Sequence, residues 1–483
     1  MLHLGRNIFS LVLSRVLSGV ILFLIYTRLV QYLGPEQTGH FGLIGFYLTV
    51  FGFFVDFGMS HLVIKKMSED SEHAGKYLTN YFLIQTGLAL FFMFLMDVIV
   101  WFADYPASVK VALYVASLGL LLSSVSLPFR AVIVAMQKLT INAQVNFYNS
   151  FINAGMMVMA IYFNKSVLFL AFISVIVGLF DLIIYAWVVN RRFTKFTFDF
   201  DKTFIKQLFL WNTPFMLLTL FAAYNRIDGL LLPYFVNFEQ TGYYSAAYKF
   251  WDILAFFPGV LGITLYPFFA HAISKNLIDQ VRIGLQTYTR YMIAIAVPMA
   301  VGVFLLAEEL TLNFFGREFI QASDPLWLLV LAVSVVFIYT PVNSLVISQL
   351  TRNATKITGF TFVVNVLLNL LLIPKFGIVA SAAITVLSEL IQTVGYTYIV
   401  KKKIVNFEFF KSFAKPLIAA GFMAAFILAF KNHNVWFVIA LSGIIYGLGL
   451  LVLKFFRRSD WELLKAAINI KREVSTEATL TDV

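Results

Sequence analysis

The stretch from Arg226 to Asp252, RIDGLLLPYFVNFEQTGYYSAAYKFWD, decides the fold and points to the functional part of the chain. Long apolar runs lie on both sides of it, so we expect Arg226, Asp228, Lys249 and Asp252 at membrane depth. A charge there costs about 2.5–3.5 kcal/mol on insertion scales, and such residues therefore pair with one another or line a polar cavity. The pattern predicts a helical hairpin that lies inside a membrane and carries a functional site.

Part of this hairpin repeats an earlier stretch. Glu36-Gln-Thr-Gly-His-Phe-Gly42 follows the first apolar run as Glu239-Gln-Thr-Gly-Tyr-Tyr244 follows the seventh, with every residue number raised by 203. A second echo links residues 128–137, which end the fourth run, with residues 341–349, which end the tenth. Since six runs lie in each copy, both copies have the same orientation. This predicts parallel repeats related by an axis along the membrane normal, with a substrate site at their interface.

The composition is that of a polytopic membrane protein. The 483 residues are 60% hydrophobic and 13% charged, and the mean hydropathy is +0.85, whereas soluble domains are about 25% charged. The net charge of +11 fits cytoplasmic loops rich in Lys and Arg, so no nucleic-acid partner is expected. Cysteine is absent, which excludes thiol catalysis, disulfides and cysteine-based metal sites.

We predict an all-α fold of about fourteen transmembrane helices, because a bilayer core takes about 20 apolar residues per helix. Residues 1–200 are predicted to form an N-terminal lobe of six helices and residues 201–405 a C-terminal lobe of six, around a central cavity. Residues 406–456 are predicted to add two helices, and residues 457–483 a cytoplasmic tail. The predicted runs are 8–33, 39–61, 78–102, 109–135, 143–163, 166–189, 208–235, 241–270, 284–306, 325–349, 357–373, 377–400, 412–430 and 435–454.

The distribution of the 36 lysines and arginines predicts the orientation. With the N-terminus placed inside, most of them fall in the inner loops and tails and few in the outer loops, as the positive-inside rule requires. Both termini are therefore expected in the cytoplasm. The basic and aromatic segment 190–207 is expected to link the two repeats at the membrane surface. The tail from Ser459 is expected to begin a short amphipathic helix.

Six cations inside predicted helices are candidates for substrate binding. Arginine binds phosphate oxygens in a bidentate manner and keeps its charge, so cations along one cavity suit a large anionic substrate. For Arg28, Arg130 and Arg290 the alternative is that the side chains reach the headgroups from the helix ends. The cavity is the favoured location for the remaining three, Arg15, Arg226 and Lys249.

Acidic residues and prolines add candidates for coupling and movement. Lys249 and Asp252 are three residues apart and share a helix face, and Arg226 with Asp252, or Asp228 with Lys249, could pair across the hairpin. Such pairs are either fixed structural ion pairs or a network that opens when substrate or a coupling ion binds. The candidates for proton or sodium coupling outside the hairpin are Asp56 and Glu389, and the candidates for helix kinks that gate the site are Pro214 and Pro258.

Several signals of enzymatic chemistry are missing from the sequence. No phosphate-cradling loop, no His-Glu-x-x-His metal motif and no long outer loop for glycosyl transfer is found. We therefore expect a transporter without a cofactor or metal, with a membrane enzyme of glycan synthesis as the alternative class.

Three segments resemble one known family. They are Ser14-Arg15-Val-Leu-Ser-Gly19, residues 33–42 followed by Asp56-Phe-Gly-Met-Ser60, and Thr241-Gly-Tyr-Tyr-Ser-Ala-Ala-Tyr-Lys249 followed by Pro267. In these segments, in the number of its helices and in its repeat, the chain resembles the polysaccharide transporters (O-antigen flippases, Wzx-type). They belong to the multidrug/oligosaccharidyl-lipid/polysaccharide, or MOP, superfamily.

The resemblance implies two six-helix lobes that alternate between inward- and outward-facing states. It also implies a polyprenyl-pyrophosphate-linked oligosaccharide as substrate, moved to the outer leaflet of a prokaryotic plasma membrane for O-antigen, capsule or exopolysaccharide synthesis. Glycosyltransferases and a polysaccharide polymerase are partners expected from the resemblance alone. The lipid II flippases are the nearest alternative. The cation-coupled multidrug exporters are a weaker one, because the first helix here carries arginines and no carboxylate.

Overall fold

The computed structural model describes residues 2–70, 72–194 and 200–456. Side chains are described within these ranges except for residues 2–18 and for Leu139, Pro214, Leu218, Ala222, Asn225, Ile263, Thr264 and Pro267. The described part of the chain is helical and contains no strand, as predicted. The predicted helix from Ser459 and the centre of the segment between the repeats, residues 195–199, lie outside the described residues.

The helices follow one another with short connections. Short 3-10 turns occur at Arg317–Ala322 and Phe410–Ser412. The α-helices are α1 Leu2–Asp56, α2 Met59–Glu69, α3 Ala74–Phe102, α4 Ala107–Ala135, α5 Leu139–Tyr162, α6 Val167–Arg192, α7 Lys202–Ala222, α8 Tyr224–Phe235, α9 Phe238–Leu254, α10 Phe256–Ser274, α11 Ile278–Phe315, α12 Ser323–Gln349, α13 Thr351–Lys403, α14 Ala414–Phe430 and α15 Val435–Val452.

Two glycines divide the longest helices into paired arms. Gly34, with φ 71°, lies within α1, and Gly377, with φ 60°, lies within α13. Glycine adopts this left-handed conformation without the steric penalty of a Cβ atom. The breaks fall between the first and second and between the eleventh and twelfth predicted runs. Within the described ranges, nine helices are long and apolar enough to span a membrane, or ten if one bent pair is included. The predicted total of fourteen spans stays a prediction.

Two predicted single helices, the seventh and eighth runs, are broken in the structure. The run 208–235 divides into α7 and α8, and α7 itself bends by 57° at Pro214. The run 241–270 divides into α9 and α10 at Ala255. Proline lacks an N–H group and collides with the preceding turn, so it bends a helix that apolar composition alone would extend. Both breaks lie beside the charged hairpin.

The buried apolar side chains gather in separate clusters that follow the two halves of the sequence. Residues of α1 to α6 build two clusters, around Leu113 and around Tyr81, and the second of these also includes Leu208 of α7. Residues of α9 to α15 dominate two others, around Leu329 and around Val342. The last helices join the second half, where the Tyr446 hydroxyl donates to the carbonyl of Ala294 at 2.7 Å. The protein is therefore a multi-pass membrane protein of two packed halves, and residues 1–200, 201–405, 406–456 and 457–483 stay predicted boundaries.

The start of the second half is fastened to the first by Asp201. Its carboxylate lies 2.7 Å from Lys76 Nζ and accepts from the backbone N–H of Phe204 at 2.9 Å. Its own N–H donates to Asn80 Oδ1 at 3.1 Å. The pKa of Asp201 is lowered most by the hydrogen bond with Lys76 and next by the hydrogen bond from the backbone N–H of Phe204.

We expect the substitution Asp201→Asn to lower Tm at pH 7 and to have no such effect in acid. Asparagine keeps the helix cap but removes the charge. Because the folded-state pKa is lowered, the ion pair stabilises the fold above the unfolded pKa of about 3.9. This contribution is lost as the pH falls through the lower folded-state value. The measurement is Tm of both proteins between pH 3 and pH 7, and a difference that does not shrink in acid would contradict the assignment.

Candidate functional site

A cavity of about 340 Å³ lies between the two halves of the molecule. The first half contributes both arms of α1 together with α5 and α6, and the second half contributes α8 and α9. The wall from the first half is mostly apolar, with Thr49, Asn153 and Ser174 as polar members. Among the described side chains, the charged lining residues come from α8 and α9, the hairpin that the sequence singled out.

Three charged side chains, Arg226, Lys249 and Asp252, form one group in this cavity. Arg226 binds Asp252 Oδ1 through Nη2, and Lys249 Nζ lies 3.5 Å from Asp252 Oδ2. The Arg226 guanidinium lies over the Tyr248 ring at 4.2 Å, and Lys249 lies over the Tyr26 ring at 4.9 Å. The side chains are 20%, 33% and 30% exposed in the order given, so each is only partly covered by the protein. Two cations share one carboxylate, and the group carries a net positive charge.

Asp228 turns away from this group. Of the two predicted pairings across the hairpin, the structure forms Arg226 with Asp252 and not Asp228 with Lys249. The fully buried Asp228 accepts from the Gly229 N–H at 2.7 Å, from Thr385 Oγ1 at 3.3 Å and from the Tyr244 hydroxyl. Its carboxylate therefore joins α8 to α9 and α13 inside the second half.

Glu389 is the centre of a second buried network in the same half. It accepts from the Tyr224 hydroxyl and from the Tyr339 hydroxyl, each at 2.9 Å. Gln392 Nε2 donates in turn to the Tyr224 hydroxyl. The network joins α8, α12 and α13. Its tyrosines were missed from the sequence, because nothing distinguishes them among the 22 tyrosines of the chain.

We expect the substitution Glu389→Leu to destabilise the protein strongly. It would leave two buried hydroxyls without their acceptor, at about 1–3 kcal/mol for each unsatisfied group. Glu389→Gln keeps a carbonyl acceptor and is expected to cost less. Thermal unfolding of the two variants in detergent is the measurement. Equal Tm values for Glu389→Leu and the wild type would contradict the structural role of this network.

Three of the remaining predicted cations, whose side chains the structure describes, lie outside the cavity lining. Arg28 is exposed and donates to Gln31 Oε1 at 3.2 Å, and Arg130 is half-buried in α4. Arg290 is buried against the rings of Tyr291 and Phe455.

The other candidate residues lie near the breaks or bends of helices, or their side chains are not described. Asp56 is the last residue of α1, and Pro258 is buried near the start of α10. Pro214 marks the bend of α7, and its side chain, like that of Arg15, lies outside the described side chains.

The two copies of the repeated motif pack directly on each other. A Cβ atom on Gly39 would lie 2.0 Å from the Phe238 carbonyl oxygen, and one on Gly242 would lie 1.9 Å from the Pro35 carbonyl oxygen. These two contacts are counterparts, because Gly39 corresponds to Gly242 and Pro35 to Phe238 under the shift of 203 residues. Small residues allow helix backbones to approach this closely within membranes.

This contact, which we name the repeat crossing (residues 35–42 and 238–245), borders the cavity. Gly42 faces its own counterpart Ser245, since a Cβ atom on Gly42 would lie 1.9 Å from Ser245 Oγ. Gly42 and Ser245 also line the cavity. The pseudo-twofold axis of the duplication therefore passes through the crossing, which lies on α1 between the Gly34 turn and the lining residues 44–49.

Comparison with known proteins shows which family this architecture belongs to. A family model described as "Polysaccharide biosynthesis protein" matches residues 25–324. The chain is 22% identical to the probable low-salt glycan biosynthesis flippase Agl15 of Haloferax volcanii, over 89% of this chain and 90% of that protein. It is 23% identical to an uncharacterized membrane protein, MJ1068, of Methanocaldococcus jannaschii, over 57% of this chain and 56% of that protein. The probable flippase AglR of Haloferax volcanii is 23% identical over 44% of this chain and 45% of its own length, so the chain spans about half of these last two relatives.

Solved structures share the fold at low sequence identity. The lipid II flippase MurJ in an inward closed conformation aligns with a TM-score of 0.75 and 14% identity, over 92% of this chain and 98% of that one. An inward-facing MATE family transporter of the MOP superfamily aligns with a TM-score of 0.65 and 11% identity, over 80% of this chain and 94% of that one. The chain belongs to the polysaccharide biosynthesis protein family, and its fold is that of the MOP superfamily of membrane transporters.

Proposed function

We propose that the protein is a flippase for polyprenyl-pyrophosphate-linked oligosaccharide repeat units. It moves them from the inner to the outer leaflet of a prokaryotic plasma membrane, for the synthesis of O-antigen, capsule or exopolysaccharide. The observation that carries the proposal is the net positive group of Arg226, Lys249 and Asp252 in a cavity between two halves. The family match and the names of the Haloferax volcanii relatives support it.

The charges of the cavity fit a pyrophosphate. An anion that leaves water for a low-dielectric site needs its charge compensated, and unpaired burial is costly. Arg226 can bind phosphate oxygens with two parallel hydrogen bonds, and Lys249 adds a mobile point charge. Asp252 holds both cations in place before substrate arrives, and phosphate then competes with this carboxylate for them.

The first half supplies a different surface to the same cavity. Its apolar wall carries the hydroxyls of Thr49 and Ser174 and the amide of Asn153. These groups offer hydrogen bonds to sugar hydroxyls without adding charge. A cavity of about 340 Å³ is near the lower limit for a drug-sized ligand. It therefore suits the pyrophosphate and the adjoining sugar, while the rest of the substrate requires the cavity to open.

In a cycle of alternating access, the repeat crossing acts as the contact that opens and closes one side of the cavity. We infer that the crossing closes the cavity on the side of the Gly34 turn, because Gly42 and Ser245 belong to the lining and leave no room for a Cβ atom between the two copies. We assign that side to the outer leaflet, because the distribution of lysine and arginine predicts that both termini lie in the cytoplasm. Release of substrate to the outer leaflet then requires the two copies of the motif to separate. Proton or sodium coupling supplies the energy in this proposal, with Asp56, Asp228 and Glu389 as candidate sites.

The test is made in cells that lack the protein. We expect a polyprenyl-pyrophosphate-linked oligosaccharide to accumulate in extracted lipids while surface polysaccharide disappears, and the intact gene to reverse both effects. Accumulation of lipid II instead would favour a lipid II flippase. Unchanged lipids and surface polysaccharide together with increased drug sensitivity would favour a multidrug exporter and contradict the proposal. The expected partners, glycosyltransferases and a polysaccharide polymerase, would act before and after this step.

A further inference from the structure

A break in the membrane-spanning part of the first half lies at the far end of the α1 arm that forms the repeat crossing. Helix α1 ends at Asp56, and α2 begins at Met59. Between them Phe57 and Gly58 have φ values of 52° and 75°, both in the left-handed region. The carboxyl end of a helix carries partial negative charge on its free carbonyl groups. Asp56 adds a carboxylate at that end.

Buried oxygen atoms without a partner surround this break. Tyr81 and Gln85 lie one helical turn apart on α3, and both side chains are fully buried. Gln85 Nε2 donates to the Val55 carbonyl at 3.1 Å, which places its amide beside the end of α1. Among the described residues, Gln85 Oε1, the Tyr81 hydroxyl and Asp56 Oδ1 have no hydrogen-bond partner. Since buried polar atoms are nearly always paired, these three oxygens point to a ligand.

The surrounding charges favour a cation as that ligand. Arg130 of α4 lies close enough to Tyr81 for an electrostatic interaction, as does Asp56. Arg130 interacts in the same way with Asp181 of α6, whose carboxylate accepts from Asn149 Nδ2 at 2.8 Å. Arg130 therefore has a carboxylate neighbour of its own in Asp181, and the carboxylate at the break is that of Asp56. The lysines that lie nearest to the break in the sequence do not pair with Asp56. Lys65 is exposed, Lys66 pairs with Glu69 and Lys76 pairs with Asp201.

We propose that the break between α1 and α2 binds a sodium ion. Asp56, Gln85 and Tyr81 supply a carboxylate, an amide carbonyl and a phenol oxygen, and the carboxyl end of α1 supplies its dipole. Oxygen-only sites at the ends of broken helices suit hard monovalent cations. The inference rests on the proposed function, because it names the coupling ion and its site. It also separates that site from the anion-binding cavity.

The position of the break gives the ion a way to act on the transport cycle. Asn212 of α7 donates from Nδ2 to the Phe57 carbonyl at 2.7 Å. A Cβ atom on Gly58 would lie 2.5 Å from the backbone of Phe215, so α7 touches the break closely. The cavity thus lies between two contacts of the halves, the repeat crossing at one end of the α1 arm and the break at the other. An ion bound at the break biases the state in which the second contact is formed.

The test uses the purified full chain and needs no substrate. Tm is measured in sodium chloride, potassium chloride and choline chloride at equal ionic strength. We expect sodium to raise Tm by about 2 °C or more over choline, because a ligand that binds only the folded state stabilises it. The rise should be lost in Asp56→Asn and in Gln85→Met. The matched control is Asp97→Asn on α3, whose carboxylate also has a buried oxygen without a hydrogen-bond partner among the described residues, and it should keep the rise.

Each other outcome overturns the proposal. Equal Tm in sodium and choline, or a sodium effect that survives Asp56→Asn and Gln85→Met, would do so, and the latter would point to Asp228 or Glu389. A Tm that follows pH and not sodium would assign protonation in place of sodium. If Asp56→Asn does not fold, Gln85→Met and Tyr81→Phe decide the question. Since the measurement contains no lipid-linked glycan, a failed substrate assignment leaves its result unchanged.

Discussion

Replacing Arg226 and Lys249 together by glutamine is expected to reduce transport of the lipid-linked oligosaccharide by at least about 100-fold. Hydrogen bonds to charged groups contribute about 1.5–3 kcal/mol each, and both cations are available to the pyrophosphate. Among the described side chains of the lining, Asp252 would then be the remaining charge, and it repels the anion. The measurement is surface polysaccharide in cells that express equal amounts of each variant.

The control for this substitution removes the carboxylate as well. The double variant leaves Asp252 without its partners, which alone could disturb the hairpin. In the triple variant Arg226→Gln, Lys249→Gln, Asp252→Asn no unpaired charge remains. If the triple variant recovered transport, the cations would serve only to neutralise Asp252, and the assignment to pyrophosphate would be wrong. Lys375→Gln, at an exposed cation in the turn of α13, should transport normally.

Adding a single methyl group at the repeat crossing is the second change with a large expected effect. In Gly39→Ala or Gly242→Ala the new Cβ atom would lie about 2 Å from a backbone carbonyl oxygen of the other copy, so the helices must separate. Overpacking of this kind costs about 1–3 kcal/mol. The closed state loses that much relative to the open state, and we expect access from the outer side to rise at least about fivefold.

This change in access can be measured directly, because the chain contains no cysteine. Ser174→Cys places a single thiol in the cavity wall. Its labelling by a membrane-impermeant maleimide from the outer side should increase in Gly39→Ala and in Gly242→Ala. Gly52→Ala, on the same arm of α1, is the matched control, since nothing lies within 4 Å of its added Cβ atom. Equal labelling in all three variants would show that the crossing is not the outer seal.

The fold class could be predicted from the sequence, and so could the hairpin that carries the charged residues of the candidate site. The apolar runs indicated a polytopic α-helical protein, and the shift of 203 residues indicated two copies of equal orientation. Charges within an apolar hairpin marked α8 and α9, because an ionised side chain at that depth needs a reason to be there. The structure then placed Arg226, Lys249 and Asp252 in the cavity between the halves.

Finer features could not be predicted, and the reasons are geometric. The direction of Asp228 depends on helix phase beside the breaks at Ala223 and Ala255, which composition does not reveal. The partners of Glu389 come from α8 and α12, distant in sequence, so no local pattern marks Tyr224 or Tyr339. The motif was seen twice in the sequence, but its two copies were not expected to touch each other.

The most direct test of the central claim is transport by the purified protein in liposomes. A fluorescent polyprenyl-pyrophosphate-linked oligosaccharide is placed in both leaflets, and a membrane-impermeant reagent then quenches the outer one. The account predicts that wild-type protein makes nearly all of the fluorescence accessible, while vesicles with the Arg226→Gln, Lys249→Gln variant leave the inner half protected. Protection that is equal in wild-type vesicles and in protein-free vesicles would contradict the claim that this chain moves lipid-linked oligosaccharides across a membrane.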